Sequence, residues 1–221
     1  VNFRFTDSTG GNSTGAFLSR NFALHVGDNP ESVSLNRLEL SEEIDRPIQF
    51  MDQVHGNDVE VIDEFSQSDP RADALITINR NVALAVMVAD CVPLLLSNDS
   101  SVAAVHVGRK GLINGIAVKT LSIMRSIDPS PITAIIGPSI CGKCYEVSED
   151  VFNEVTSAIP TSESRTPSGG FALDLPASLS LELQGFGISV LNHSRCTVEE
   201  RFLFSYRRDG VTGRQAGLIW L

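Results

Sequence analysis

The sequence predicts an α/β (α+β) protein, a single layered domain over residues 1–221 with a mixed β-sheet flanked by helices. Three observations predict it. Runs such as ALITI, VALAVMVA and SVAAVHVG are short, continuously apolar and rich in Val and Ile, as strands buried on both faces are. They alternate with segments of helical periodicity, of which the stretch holding Ile113, Ile116, Ala117, Thr120, Leu121 and Met124 is the clearest. A length of 221 residues is enough for one large core.

Through Asp28 the chain is rich in Gly, Ser, Thr and Asn, which predicts loops and short strands. Pro30-Glu31 suits a first helical turn, and Val33, Leu35, Leu38 and Leu40 supply an imperfect apolar face up to Ile44. PIQFMDQVHGNDVEVI reads as two short strands around the turn His55-Gly56-Asn57-Asp58, with His55 at a strand end. After an acidic loop come ALITI and VALAVMVA. The second runs into Asp90, Cys91 and Pro93, where proline should interrupt a central ladder.

In SVAAVHVG the strand period puts Val102, Ala104 and His106 on one face and Ala103, Val105 and Val107 on the other. Gly108 and Gly111 bracket Arg109-Lys110 ahead of the clearest helix, whose N-terminus could receive an anion. Pro131 to Ile136 is the next strand. Ser148, with Glu149 and Asp150, marks a helix start followed by Val151, Phe152, Val155 and Ile159. Pro160 to Gly170 reads as a surface loop, Asp174 to Gln184 as a helix and Ile188 to Leu191 as a strand. The tail SYRRDGVTGRQAGLIWL predicts a functional loop and a closing strand.

Composition excludes several classes. Hydrophobic residues at 42% and charged residues at 20% are ordinary for a soluble globular protein, and no apolar run is long enough to span a bilayer. The start VNFRFTDSTGG lacks the pattern of a secretory signal, so a cytoplasmic location is expected. A net charge of −10 argues against nucleic-acid binding, and any bound anion must meet a local cluster of cations. The four cysteines, Cys91, Cys141, Cys144 and Cys196, are too scattered for a disulfide framework, which favours reduced thiols.

His55, Cys91 and His106 each fall near the end of an apolar run. Together they could bind zinc through three ligands and leave a fourth position open. Their spacing specifies no finger-type motif, so two other readings stand beside this one. Cys91 could be a thiolate nucleophile with His106 as base and Asp90 or another group orienting it. The residues could equally be a buried cysteine and two hydrogen-bonded histidines. Cys141 and Cys144 have the C-x-x-C spacing of a redox pair or half a structural zinc site; with no second such pair, two pairs cannot build a four-thiolate site in one chain. Cys144 is the one expected to line the active site. His25 and His193 read as surface or satisfied core residues. Arg207, Arg208 and Arg214 lie in a glycine-containing loop suited to a phosphate or nucleoside contact.

QVHGNDV, ADALIT, ALAVMVADCVPLLL, AAVHVGRKG, IGPSICGKCYEV and RFLFSYRRDGVTGRQAG occur in an order that resembles the YfiH/laccase-domain family, formerly called multicopper polyphenol oxidases. The likeness extends to TGGNSTGAF and HVGD near the start. It implies a mixed-sheet fold and a catalytic zinc site at His55, Cys91 and His106. It also implies phosphorolysis of adenosine, inosine and methylthioadenosine, and deamination of adenosine. The expected substrates are therefore purine nucleosides and inorganic phosphate, with Arg109, Lys110, Cys144 and Arg208 as binding residues.

The same family carries reports of copper-dependent phenol oxidation and a proposed cysteine-hydrolase relationship. Copper also suits Cys and His ligands, but a laccase needs several copper centres and this chain has four histidines. The runner-up is hydrolysis by Cys91 and His106 of an amide in a cell-wall precursor. Two departures from the family pattern bear on substrate range. Ser8 and Thr9 stand where many members carry Arg, and Arg109-Lys110 replaces Trp-Arg.

Overall fold

The computed structural model describes residues 1–221. The chain begins with strand β1 (Asn2–Phe5), helix α1 (Pro30–Glu43), the short strands β2 (Ile48–Gln49) and β3 (Val59–Val61), and then β4 (Ala74–Thr77). The apolar centre of the sequence forms β5 (Ala83–Val88), β6 (Val92–Ser97) and β7 (Val102–Val107). Helices α2 (Arg109–Ile113) and α3 (Ile116–Ile127) follow, then β8 (Thr133–Ile136) and α4 (Glu149–Ala158). A hairpin of β9 (Glu163–Arg165) and β10 (Phe171–Leu173), helix α5 (Leu175–Gly185), β11 (Ser189–Asn192), α6 (Tyr206–Asp209) and β12 (Gln215–Trp220) complete it.

Two mixed sheets carry the fold rather than the single sheet expected. One has four strands in the order β1-β12-β5-β2 and the other six in the order β11-β8-β6-β7-β4-β3. Alternation along the strands explains their stacking, because the central strands each feed two cores. On β5, Leu84, Val86 and Val88 pack between the sheets with Leu95 of β6, Ala104 of β7 and Ile135 of β8. The intervening Ala83, Ala85 and Met87 face outward to Leu40 of α1, Phe22 and Phe50. The opposite face of the six-stranded sheet, including Leu94, Leu96, Val105 and Ile136, meets α2, α3, α4 and α5. Both sheets are thus covered on both faces, which is why their strands read as continuous apolar runs. No helix is long and apolar enough to cross a membrane.

Several local expectations change. The buried side of α1 is Val33, Asn36 and Leu40, while Leu35 and Leu38 are exposed. Asn36 is tolerated there because it donates to Ser13 and Asn21 and accepts from the Asn12 amide. The clearest helix is broken at Asn114-Gly115, where Gly115 takes φ 68°, so Arg109 and Lys110 lie inside the short α2 rather than ahead of a long helix. Residues 163–173 fold back as the β9–β10 hairpin in place of a surface loop.

Pro93 does not interrupt β6. It pairs with His106 of β7, whose N–H turns away to the Asp73 carbonyl (2.8 Å). In such a non-hydrogen-bonded pair both N–H positions point outward, so the one proline lacks falls on the β8 side, where pairing starts only at Leu94.

Leu95 is fully buried between the two sheets, whereas Leu38 is 54% exposed. Leu95→Ala should therefore cost about 2–5 kcal/mol, and Leu38→Ala no more than about 0.5 kcal/mol. Urea midpoints with unchanged slopes would register both.

Candidate metal centre

The sheets meet at the chemistry. Leaving β5 in one sheet, the chain crosses through Ala89-Asp90-Cys91 to enter β6 in the other. Asp90 makes the crossing at φ 99°, a conformation a non-glycine residue holds only when its surroundings enforce it. Its carboxylate accepts from Thr197 Oγ1 (2.6 Å), Ser205 Oγ (2.7 Å) and the Arg207 amide (2.6 Å). Asp90 therefore anchors the C-terminal segment and does not orient His106. Cys91 is left partly exposed at the junction.

His106 comes from the end of β7, on the Val102–Ala104 face that its spacing predicts, and is buried. His55 lies not at a strand end but in the long connection between β2 and β3, at φ 58°. The residue that joins them, Asp73, was not picked out from the sequence. Its buried carboxylate contacts His106 Nδ1 (2.8 Å) and accepts from the amides of His55 (2.9 Å), Gly56 (2.6 Å) and Val54 (3.3 Å). Burial would raise the Asp73 pKa, but the hydrogen bond from His106 and the amides hold it below the usual carboxylate value.

One carboxylate thus fixes both imidazoles. The His55 and His106 rings stand edge to face with centroids 4.7 Å apart, and His55 Nε2 lies 3.9 Å from Cys91 Sγ. The donor atoms of His55, Cys91 and His106 all lie within 4.8 Å of one another. Ligands of one tetrahedral zinc ion, with Zn–S about 2.3 Å and Zn–N about 2.0 Å, sit about 3.6 Å apart or slightly less, so the three residues fit a metal ion. Asp73 on His106 Nδ1 is the outer partner that metal-binding imidazoles usually have. A Cβ on Gly108 would stand 3.1 Å from Cys91 Sγ and 3.2 Å from His55 Cδ2, so only glycine leaves the donors undisturbed.

The protonation states are coupled. Burial opposes charge on Cys91, but the charge of and hydrogen bond from His106, with His55 adding, bring its thiol down to about 6. Burial likewise opposes charge on His106, and Cys91 with Asp73 raises it to about 9. Without metal, the pair is a thiolate and an imidazolium near neutral pH.

The three donors open on a cavity of about 430 Å3, a size typical of small-molecule sites. Arg109, Arg207 and Arg214 line it, with Tyr145, Tyr206 and His25. The placement of cations differs from expectation. Arg207 lies over the Tyr145 ring at 5.2 Å, whereas Arg208 spends its guanidinium on the carbonyls of Thr197, Val198, Glu200 and Leu203 and on Asp209. Lys110 is exposed and lies outside the cavity lining, as does Cys144. His25, expected to be a bystander, reaches the cavity; burial and then Arg214 lower its pKa. His193 packs against Phe3 at 5.3 Å, away from the site. Among the arginines sequence alone does not choose, because which one faces inward is set by the turn of α6.

The fold and site define a two-sheet α/β protein with a two-histidine, one-cysteine centre at the sheet junction. Residues 2–221 match the family described as multi-copper polyphenol oxidoreductase laccase, and the chain belongs to that family. It is 43% identical to a purine nucleoside phosphorylase of Corynebacterium glutamicum, across 98% of this chain and 93% of that one. It is 39% identical to a Streptomyces griseus protein of the same name, across 100% of this chain and 94% of the other. The crystal structure of a Neisseria meningitidis protein of the DUF152 family superposes with a TM-score of 0.91 at 39% identity, covering 99% and 93% of the two chains. YlmD of Geobacillus stearothermophilus gives 0.88 at 32% identity, covering 97% and 89%.

In metal-free protein, alkylation of Cys91 by iodoacetamide should rise through about pH 6, where its thiolate forms, and stay slow below it. Cys141 and Cys144, whose thiols burial pushes upward, Cys144 to about 12, should react only at higher pH. Peptide mass spectrometry across a pH series would follow each thiol, and a Cys91 midpoint near that of free cysteine, about 8.5, would contradict the ion pair.

Proposed function

We propose that this protein is a zinc-dependent purine nucleoside phosphorylase acting on adenosine, inosine and methylthioadenosine, with adenosine deaminase activity. The observation that carries the reading is the convergence of three arginines and the His55–Cys91–His106 donor set on one cavity, in a chain whose net charge is −10. An acidic protein that gathers Arg109, Arg207 and Arg214 around one cavity offers planar paired donors to an anion. The names of the Corynebacterium and Streptomyces relatives support phosphate and a purine nucleoside as the reactants.

In phosphorolysis, an oxygen of phosphate forms the bond to the anomeric carbon while the glycosidic C–N bond breaks. The electron pair of that bond leaves with the purine, which takes up a proton. Arg109, Arg207 and Arg214 hold the phosphate and neutralise it, and Tyr145 with Met87 and Val88 gives the base an apolar wall. His55, Cys91 and His106 would hold the zinc ion, which would supply Lewis acidity there. Asp73 keeps His106 in the tautomer that presents Nε2 to the donor cluster. His25, whose pKa burial and then Arg214 lower, lines the same cavity and is our candidate for the proton acceptor in deamination. Lys110 adds positive charge at the start of α2, outside the cavity.

The Cys91 thiolate beside His106 is also the equipment of a cysteine hydrolase, and that second reading rests on this pair alone. The oxidase reading has less support from the donors. Of four histidines, two join Cys91, one stands apart in the cavity wall and one packs on Phe3, which makes a single centre rather than a copper cluster.

Incubation with adenosine should yield adenine and ribose 1-phosphate only when phosphate is present, and inosine without it. Arg207→Ala should raise the KM for phosphate about tenfold or more, the loss of a charged hydrogen bond, with a smaller change in kcat. Full activity after metal removal, abolished by iodoacetamide, would favour the hydrolase instead.

A further inference from the structure

A second group of donors lies outside the cavity. The Sγ atoms of Cys141, Cys144 and Cys196 and a carboxylate oxygen of Glu199 all fall within 4.8 Å of one another. We propose that these four residues form a second, structural metal site that takes a thiophilic divalent cation such as zinc and ties the segment after β8 to the segment after β11.

The two halves of the site are built differently. Cys141-Gly142-Lys143-Cys144 is a tight turn in which the Cys144 and Tyr145 amides reach the Cys141 carbonyl at 3.0 and 3.1 Å. Opposite them, Ser139 and Cys196 form a parallel bridge: the Ser139 amide reaches the Arg195 carbonyl (3.0 Å) and the Thr197 amide returns to Ser139 (3.2 Å). The next turn brings Glu199 to 3.9 Å from Cys144 Sγ.

The pattern is therefore C-x-x-C followed much later by C-x-x-E. The half that a second C-x-x-C would have supplied comes instead from one thiol and one carboxylate. Four ligands with no position reserved for substrate are the mark of a structural zinc site, and sulfur-rich donors select zinc over magnesium or calcium. The three thiols of the cluster cannot all be paired with one another, and all four cysteines of the chain are free.

The site stands one residue from parts of the catalytic cavity on both segments. Tyr145, next to Cys144, lines it. Thr197, next to Cys196, holds Asp90 beside Cys91. A cation bound here fixes two walls of the cavity without touching its contents.

Metal analysis of purified full-length protein tests the proposal without reference to activity. The wild type should hold about two zinc ions per chain, and Cys91→Ala and the Cys141→Ser/Cys144→Ser pair about one each. Site-by-site alkylation adds a second readout. At alkaline pH, where the metal-free thiols can react, all three should be protected as isolated and become reactive when a chelator is added. Should the paired serine variant fail to fold, Glu199→Gln leaves the thiols in place and should speed zinc release to a chromophoric chelator at least tenfold. A single zinc that is lost in Cys91→Ala and kept in Cys141→Ser/Cys144→Ser would overturn the second site, while leaving the first intact. So would a Cys141–Cys144 disulfide that resists chelator and opens only with reductant.

Discussion

The buried carboxylate of Asp73 is the constraint from which the centre follows. An isolated carboxylate in that position would cost several kcal/mol, and the chain avoids this by surrounding it with donors. Three of them are successive amides, Val54 to Gly56, and the fourth is His106 Nδ1. To deliver three adjacent amides to one side chain the backbone must curl, and His55 pays for the curl with a left-handed φ. The same curl turns its imidazole back toward Cys91. Folding Asp73 into the protein and assembling the two imidazoles are thus one event.

Asp90 performs the corresponding task on the other side of Cys91. Where Asp73 gathers the β2–β3 connection onto β7, Asp90 gathers Thr197, Ser205 and the Arg207 amide onto the crossing between sheets. Both residues accept from backbone N–H groups, so each organises main chain as well as side chains. Cys91 lies between the two clamps, where the chain passes from β5 of one sheet directly to β6 of the other. A site assembled this way needs both sheets stacked before it exists, which links its geometry to the inter-sheet core of Leu84, Val86, Leu95 and Ala104.

Much of this was legible in the sequence because burial on two faces leaves a strong mark. The runs that became β4 to β8, the side of β7 on which His106 lies and the Ser148 cap of α4 all follow from periodicity and local chemistry. The number of sheets did not, since a strand buried by another sheet and one buried by helices have the same apolar pattern. Asp73 is hidden in the sequence for a related reason. It sits in ADALIT as one acid at the start of an apolar run, and nothing local distinguishes a carboxylate that ends a loop from one buried under two histidines. Cys196 and Glu199 were invisible as partners of Cys141 and Cys144 because the parallel bridge at Ser139 that brings them together is a contact between distant segments.

The arginine pair at the start of α6 shows how fine that limit is. Ser205 caps the turn and also binds Asp90, which sets the rotation of the residues after it. Arg208 then lies over the 197–203 loop, where four carbonyls take up its guanidinium and its charge is balanced by Asp209. Arg207, one step earlier, points to Tyr145 and the Glu146 carbonyl and keeps donors free toward the cavity. Neighbouring identical side chains therefore divide the work, one shaping the loop and the other facing the cavity. The division is made by Asp90, whose carboxylate holds the Arg207 amide and so decides which guanidinium the cavity receives.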